Sequence, residues 1–168
     1  MGIPENVAGL QRSLDEDGKS RLVSGMTSGR GNTDQFMPAL SVSEIRVSHI
    51  GYVVRDIMDY SAGMPGLGHV RTVDDPVQNA RLGLYQVGAS LIELIQPLGP
   101  KAFVWGHLSR AGEGLHHICY ENLSNAEVEQ LILRHKMVKV RGPLHAVLFD
   151  RQVVFAVTRN RSVVEFLL

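Results

Sequence analysis

The feature that most constrains this chain is an internal repeat. Two strand-like stretches, VSHIGYVV (47–54) and GLHHICYE (114–121), coincide at an offset of 68 positions, which sets His49 on His117. Two others, SLIELIQPL (90–98) and SVVEFLL (162–168), coincide at an offset of 72, which sets Glu93 on Glu165. The intervening segments repeat in kind. A short helix is predicted from Asp56, ended by Gly63, Pro65 and Gly66, and a longer one over SNAEVEQLILRHK (124–136) with Ser124 or Asn125 as its cap. On the longer helix, Val128, Leu131, Ile132 and His135 share a face. Strands are predicted for HVRTVDD and ARLGLYQVG in the first half, and for KVRGPLHAVLFD and RQVVFAVTR in the second. AFVWGHLSRAGEG joins the halves as a connecting helix. The order is βαβββ twice, which makes the chain an α+β protein of two tandem modules.

Strand alternation gives the repeat chemical content. Val47, His49, Gly51 and Val53 share one side of their strand; so do Leu91, Glu93 and Ile95, then Leu115, His117 and Cys119, then Val163, Glu165 and Leu167. Each of the four polar residues therefore has apolar neighbours two places away on its own face. A lone histidine in that setting is ordinarily a hydrogen-bonded core residue. An unpaired buried carboxylate would cost several kcal/mol. Two of each, at matching places in two modules, are explained together by a divalent cation held by His49, Glu93, His117 and Glu165. A two-nitrogen, two-oxygen set suits Mn, Co, Ni, Mg or Fe, and also Zn.

Composition narrows the alternatives. Seventeen basic residues balance seventeen acidic ones, which argues against nucleic acid or an anionic membrane as partner. No run approaches the roughly 18 apolar residues of a membrane span, and the N-terminus lacks a secretory pattern. The single cysteine, Cys119, excludes an internal disulfide and a thiolate zinc site, and suits a cytoplasmic protein. Residues 1–44 are rich in Gly and Ser and lack a sustained period. They are predicted to be a flexible, disordered N-terminal extension, with a short helix near Ala8–Asp15. The ordered domain is expected over 45–168.

HIGYVV (49–54), IELIQPL (92–98), GLHHICYE (114–121) and VVEFLL (163–168) resemble the vicinal oxygen chelate superfamily of glyoxalases, bleomycin-resistance proteins and extradiol dioxygenases. The likeness is greatest to its methylmalonyl-CoA epimerase branch. The resemblance covers 45–168. It implies paired βαβββ modules curled into an open barrel-like sheet around a metal, with His49, Glu93, His117 and Glu165 as ligands. It also implies that Glu165 is both ligand and catalytic base, and that the second histidine of GLHHICYE is the ligand, with His116 on the other side of the sheet. The implied activity is metal-dependent epimerisation or isomerisation beside a carbonyl, on a small molecule such as an acyl-CoA thioester, by a homodimer. A glyoxalase-type lyase and a non-catalytic small-molecule resistance protein are the alternatives.

One position departs from the branch. Its epimerases carry a glutamate after a proline in a PEQGV-like segment, and here the matching stretch is Pro76-Val77-Gln78-Asn79-Ala80, with Val77 in place of that acid. Asp74 and Asp75 are the nearest substitutes. Arg81 is a candidate partner for a substrate anion.

Overall fold

The structure is a computed structural model that describes residues 45–168 and two short strands nearer the N-terminus. The chain divides into two units, Met1–Pro38 and Ala39–Leu168. In the first, β1 (Arg12–Leu14) pairs antiparallel with β2 (Ser20–Leu22), Arg12 opposite Leu22. This corrects the helix expected near Ala8–Asp15. A helix that short has little stability of its own. The other expectations for 1–44 lie outside the described residues.

The second unit has the element order read from the repeat. β3 (Arg46–Val53), α1 (Ile57–Gly63), β4 (Gly68–Asp75), β5 (Ala80–Val87) and β6 (Ser90–Pro97) form the first module. After α2 (Trp105–Ala111) come β7 (Gly114–Glu121), α3 (Asn125–Arg134), β8 (Val138–Ala146), β9 (Arg151–Val157) and β10 (Val163–Leu167). The eight strands make one mixed sheet, ordered β4-β5-β6-β3-β7-β10-β9-β8. Its centre is the antiparallel pair β3–β7, flanked by the parallel pairs β3–β6 and β7–β10. The sheet is an open, curled half-barrel, as expected. Across its mouth, Arg71 of β4 donates from Nη2 to the Val147 carbonyl after β8 at 3.3 Å.

Local signals explain the helices. Asp56 accepts from the Asp59 amide at 2.9 Å and caps α1. Ser124 and Glu127 form a capping box at the start of α3, satisfying amides that the first turn leaves without intrahelical partners. Val128, Leu131 and Ile132 bury against Val154, Ala156, Val164 and Phe166. Their neighbour in the sequence reading, His135, is the exposed C-cap instead, because the helix ends there. Under α1, Ile57 packs with Val54, Tyr85 and Leu94.

Both faces of the central strands are therefore buried, for different reasons. On β6, Leu94 lies under α1 while Ile95 joins an inner cluster with Val53, Leu82, Leu84 and Leu148. On β10, Val164 and Phe166 lie under α3 while Leu167 joins Cys119, Val153 and Phe155 inside the curl. Glu93 and Glu165 alternate with the helix-covered residues, and so project into the concave side. No described helix is long and apolar enough to cross a membrane.

Candidate metal centre

The four polar residues singled out by the repeat all stand on the four central strands. Register brings them together in two rows: Glu93 pairs with Gly51, which pairs with His117, and His49 pairs with Cys119, which pairs with Glu165. Each row thus has a small residue between its two polar ones. Gly51 and Cys119 are each two residues past their module's histidine, so they occupy equivalent places. At Gly51 the room is needed in full. A Cβ there would stand 2.6 Å from His117 Nδ1 and Nε2. At Cys119, a thiol fits beside His49.

Four ligand atoms, one per residue, lie within 4.8 Å of one another. His117 Nε2 is 2.8 Å from Glu165 Oε2 and 3.5 Å from Glu93 Oε2. His49 Nε2 is 3.1 Å from Glu165 Oε2 and 3.5 Å from Glu93 Oε2. The two Nε2 atoms are 3.3 Å apart. All four residues are buried, at 1% to 6% exposure. Donors about 2.1 Å from a common cation stand about 3.0 Å apart at right angles and about 3.4 Å apart in a tetrahedron, so the spacing fits a metal ion. The chemistry fits too. Two imidazole nitrogens and two carboxylate oxygens converge on one point, and the fully enclosed Glu165 Oε2 has only the two imidazole Nε2 atoms close to it, neither in good hydrogen-bond geometry. A divalent cation satisfies that oxygen, and one such charge neutralises both carboxylates.

The electrostatics of the donor set show the same demand for positive charge. Burial disfavours the His49 imidazolium, but Cys119, Glu165 and Glu93 outweigh it and push its pKa up to about 12. Burial also works against the Glu165 carboxylate, yet His117 and His49 hold it well below the usual carboxylate range. A divalent metal replaces protons on such ligands when it binds. The Cys119 thiol is pushed up to about 12 by burial, so it stays protonated and unreactive.

The donors face a small cavity of about 10 Å³, lined by Glu93, His117 and Glu165 and by apolar groups such as Leu82 and Phe155. Phe149 also lines it and stacks on His49 with ring centroids 4.6 Å apart. Outside lies a cleft of about 260 Å³ that shares Gln78, Val104, His116 and Phe155 with the inner cavity. This cleft is the route from solvent to the donors on that side.

Several sequence-based expectations need correction here. His116 is not on the far side of the sheet from His117. Its Nδ1 lies 3.0 Å from His117 Nδ1, and its ring lines both cavities. The reason is a register shift in the β3–β7 ladder: Gly51 pairs with His117 and Tyr52 with Leu115, so His116 is skipped, and β10 begins only opposite His117, leaving His116 unpaired on both sides and able to turn over the rim. Burial, then the adjacent His117 and His107, push its pKa down to about 3, which keeps the ring neutral. Asp75 is no substitute for the missing acid. It is fully buried, and its Oδ1 accepts from the Val77 and Gln78 amides at 2.8 and 3.0 Å. Its Oδ2 accepts from Gln78 Nε2 at 2.9 Å. Asp74 is taken up by Arg81, at 2.7 Å, so neither is free to meet a substrate. Val77 points to solvent. The residue that this turn delivers to the cavity is Gln78, whose carboxamide Asp75 anchors. Sequence reasoning missed it, although it directly follows the position already singled out.

The sequence profile of the glyoxalase/bleomycin resistance protein/dioxygenase superfamily matches residues 48–143. The chain belongs to that superfamily. A curated relative, the uncharacterized protein YqjC of Bacillus subtilis (strain 168), is 34% identical over 91 residues, which are 51% of this chain and 62% of YqjC. The match thus spans less than two thirds of that relative. Among solved structures of this superfamily fold, hypothetical protein BH1468 from Bacillus halodurans C-125 superposes with a TM-score of 0.66 at 26% identity, over 73% of this chain and 93% of BH1468. Methylmalonyl-CoA epimerase from Mycobacterium tuberculosis has a TM-score of 0.66 at 16% identity, covering 76% and 91% of the two chains. A variant of the Streptomyces coelicolor epimerase in complex with 2-nitronate-propionyl-CoA has a TM-score of 0.63 at 19% identity, covering 73% and 95%. At such identities the two epimerases share the fold with this superfamily member.

Proposed function

We propose that this chain is a divalent-metal-dependent epimerase or isomerase that moves a proton on the carbon beside a carbonyl, with His49, Glu93, His117 and Glu165 as metal ligands. The observation that carries the reading is the convergence of these four buried donors at one end of a cleft, their ligand atoms within 4.8 Å of one another. A bound divalent cation supplies Lewis acidity at the substrate oxygens and lowers the cost of removing the neighbouring proton.

The chain's own groups then divide the work. Glu165 takes the proton, as the enclosed carboxylate nearest both imidazoles. Glu93 enters from β6, on the opposite flank from Glu165 on β10. There it serves as a ligand opposite Glu165, and Val77 leaves the second acid/base position of the epimerase branch without a carboxylate. His116 orients His117 through the contact between their Nδ1 atoms, in the way second partners orient metal-bound imidazoles. Leu82, Ile95, Leu148 and Phe155 keep the inner cavity dry. Gln78 offers an amide to the substrate where the two cavities meet.

The substrate class we propose is a small acyl compound, an acyl-CoA thioester being the first to test, acted on by a homodimer. The deciding experiment is metal content by elemental mass spectrometry on wild type beside His117→Ala, followed by deuterium exchange at the α-carbon of propionyl and methylmalonyl thioesters. The expected result is about one divalent ion per chain, lost in the variant, with exchange that chelation abolishes. A wild type that holds no metal after incubation with Mn, Co, Ni and Zn would sink this reading in favour of a non-catalytic binding protein.

A further inference from the structure

The cleft outside the donor set contains a positive charge that no described residue neutralises. Arg141 is the only Lys, Arg, Asp or Glu among its lining residues. It makes no ion pair among the described residues. Its partner is an aromatic face instead: Cζ sits 3.1 Å from the centroid of the Phe103 ring. Stacking on a ring restrains a guanidinium while leaving its N–H donors, which radiate in its own plane, free for a planar acceptor.

The backbone is shaped at this point. Pairing between β8 and β9 slips register on both sides of Arg141, between Lys139 and Arg141 and again between Arg141 and Leu144. Such irregularities redirect side chains that a regular ladder would aim elsewhere. The next residue, Gly142, has φ +98°, and a Cβ there would run into the Val153 carbonyl oxygen and stand 2.9 Å from Val154 Cα. The strand is thus bent around a position only glycine fills, immediately after the residue that enters the cleft.

Charge balance then says what the cleft lacks. Two carboxylates and one divalent cation sum to zero, so the metal centre offers no net attraction to a second anionic group. Arg141 offers it. We infer that Arg141 is an oxyanion-recognition group of this cleft, and that the substrate carries a carboxylate or phosphate, apart from its reacting carbonyl, that lies in the plane of the guanidinium. The inference rests on the proposed metal-dependent reading for its account of the inner cavity. The apolar walls at Phe103, Val104 and Phe155 cover the part of the substrate between its two polar ends.

The test is calorimetric titration of metal-loaded full-length protein, with metal content measured on each sample. The probes are malonate, succinate and glutarate against acetate and butyrate, and phosphoglycolate against glycolate. Wild type is compared with Arg141→Ala, Arg141→Lys and a control at an exposed charge on α2, Arg110→Ala. We expect one dianion to bind about ten- to a hundredfold more weakly to Arg141→Ala, the range for losing charge-assisted hydrogen bonds. Affinity for the mono-anions and metal content should not change, and Arg141→Lys should fall between. Loss confined to phosphoglycolate identifies a phosphate; loss confined to a dicarboxylate identifies a carboxylate. The proposal is overturned if Arg141→Ala binds every dianion as wild type does, or if Arg110→Ala loses as much. Protein that holds no metal refutes the metal-dependent reading alone. The same titrations on metal-free protein then decide the fate of Arg141 by the same comparison.

Discussion

The imidazole of His117 fills the space that a side chain at Gly51 would need. These two residues are direct partners across the β3–β7 ladder, and a Cβ on Gly51 would stand 2.6 Å from two ring atoms of His117. The glycine is therefore part of the candidate metal centre without offering it an atom. Gly51→Ala is expected to push the ring out of place and lower metal affinity by about ten- to a hundredfold, the range for disturbing groups that support ligands. Competition titration with a metal indicator checks this. Wild-type affinity in Gly51→Ala would show that His117 does not need its present position.

Glu165→Gln keeps the size of the side chain and removes its charge. The donor set then carries one carboxylate instead of two, and the group proposed to move the proton is lost. Metal affinity should fall and α-carbon exchange should disappear. The check is metal content together with deuterium incorporation followed by mass spectrometry. A Glu165→Gln protein with full metal content and full exchange would show that the assignment is wrong.

Metal removal should lower thermal stability, because a ligand that binds only the folded state stabilises it by mass action. At free metal one hundred times the dissociation constant the gain is about 2.7 kcal/mol. A chelator should therefore lower the melting temperature of wild type, and readdition of metal should restore it. His117→Ala should show neither change. Equal melting curves for wild type with and without chelator would count against a resident ion.

The capping box of α3 gives a prediction that is independent of the site. Ser124 Oγ accepts from the Glu127 amide at 3.3 Å, and the Ser124 amide donates to Glu127 Oε2 at 2.7 Å. Ser124→Ala should cost about 1 kcal/mol at neutral pH. Hydrogen bonds from the Ser124 hydroxyl and amide hold the Glu127 carboxyl below its usual pKa. The sign follows from that direction. The contribution is fully present above the ordinary glutamate value of about 4.3 and is lost as pH falls through the lowered folded value. The stability gap between wild type and Ser124→Ala should thus narrow on acidification below about pH 4. Urea unfolding at several pH values measures it; a gap that widened in acid would contradict the assignment.

The sequence by itself determined the element order, the alternation of faces and the pairing of the two modules. Those follow from periods of 2 and 3.6, which need only neighbours in the chain. It also singled out His49, Glu93, His117 and Glu165, because a polar residue on an apolar strand face is conspicuous when its counterpart recurs one module later. Tertiary structure alone decided everything that depends on distant segments meeting. His116 turned toward its neighbour because the β3–β7 ladder slips register there and β10 starts one residue too late to confine it. Asp74 and Asp75 were spent on Arg81 and on the Val77–Gln78 turn, which no spacing announces. Gln78 and Arg141 reached the cleft through a turn and a pair of register slips, and neither leaves a periodic trace. Local chain geometry fixes which way a strand residue points. Only the curl of the sheet fixes what it points at.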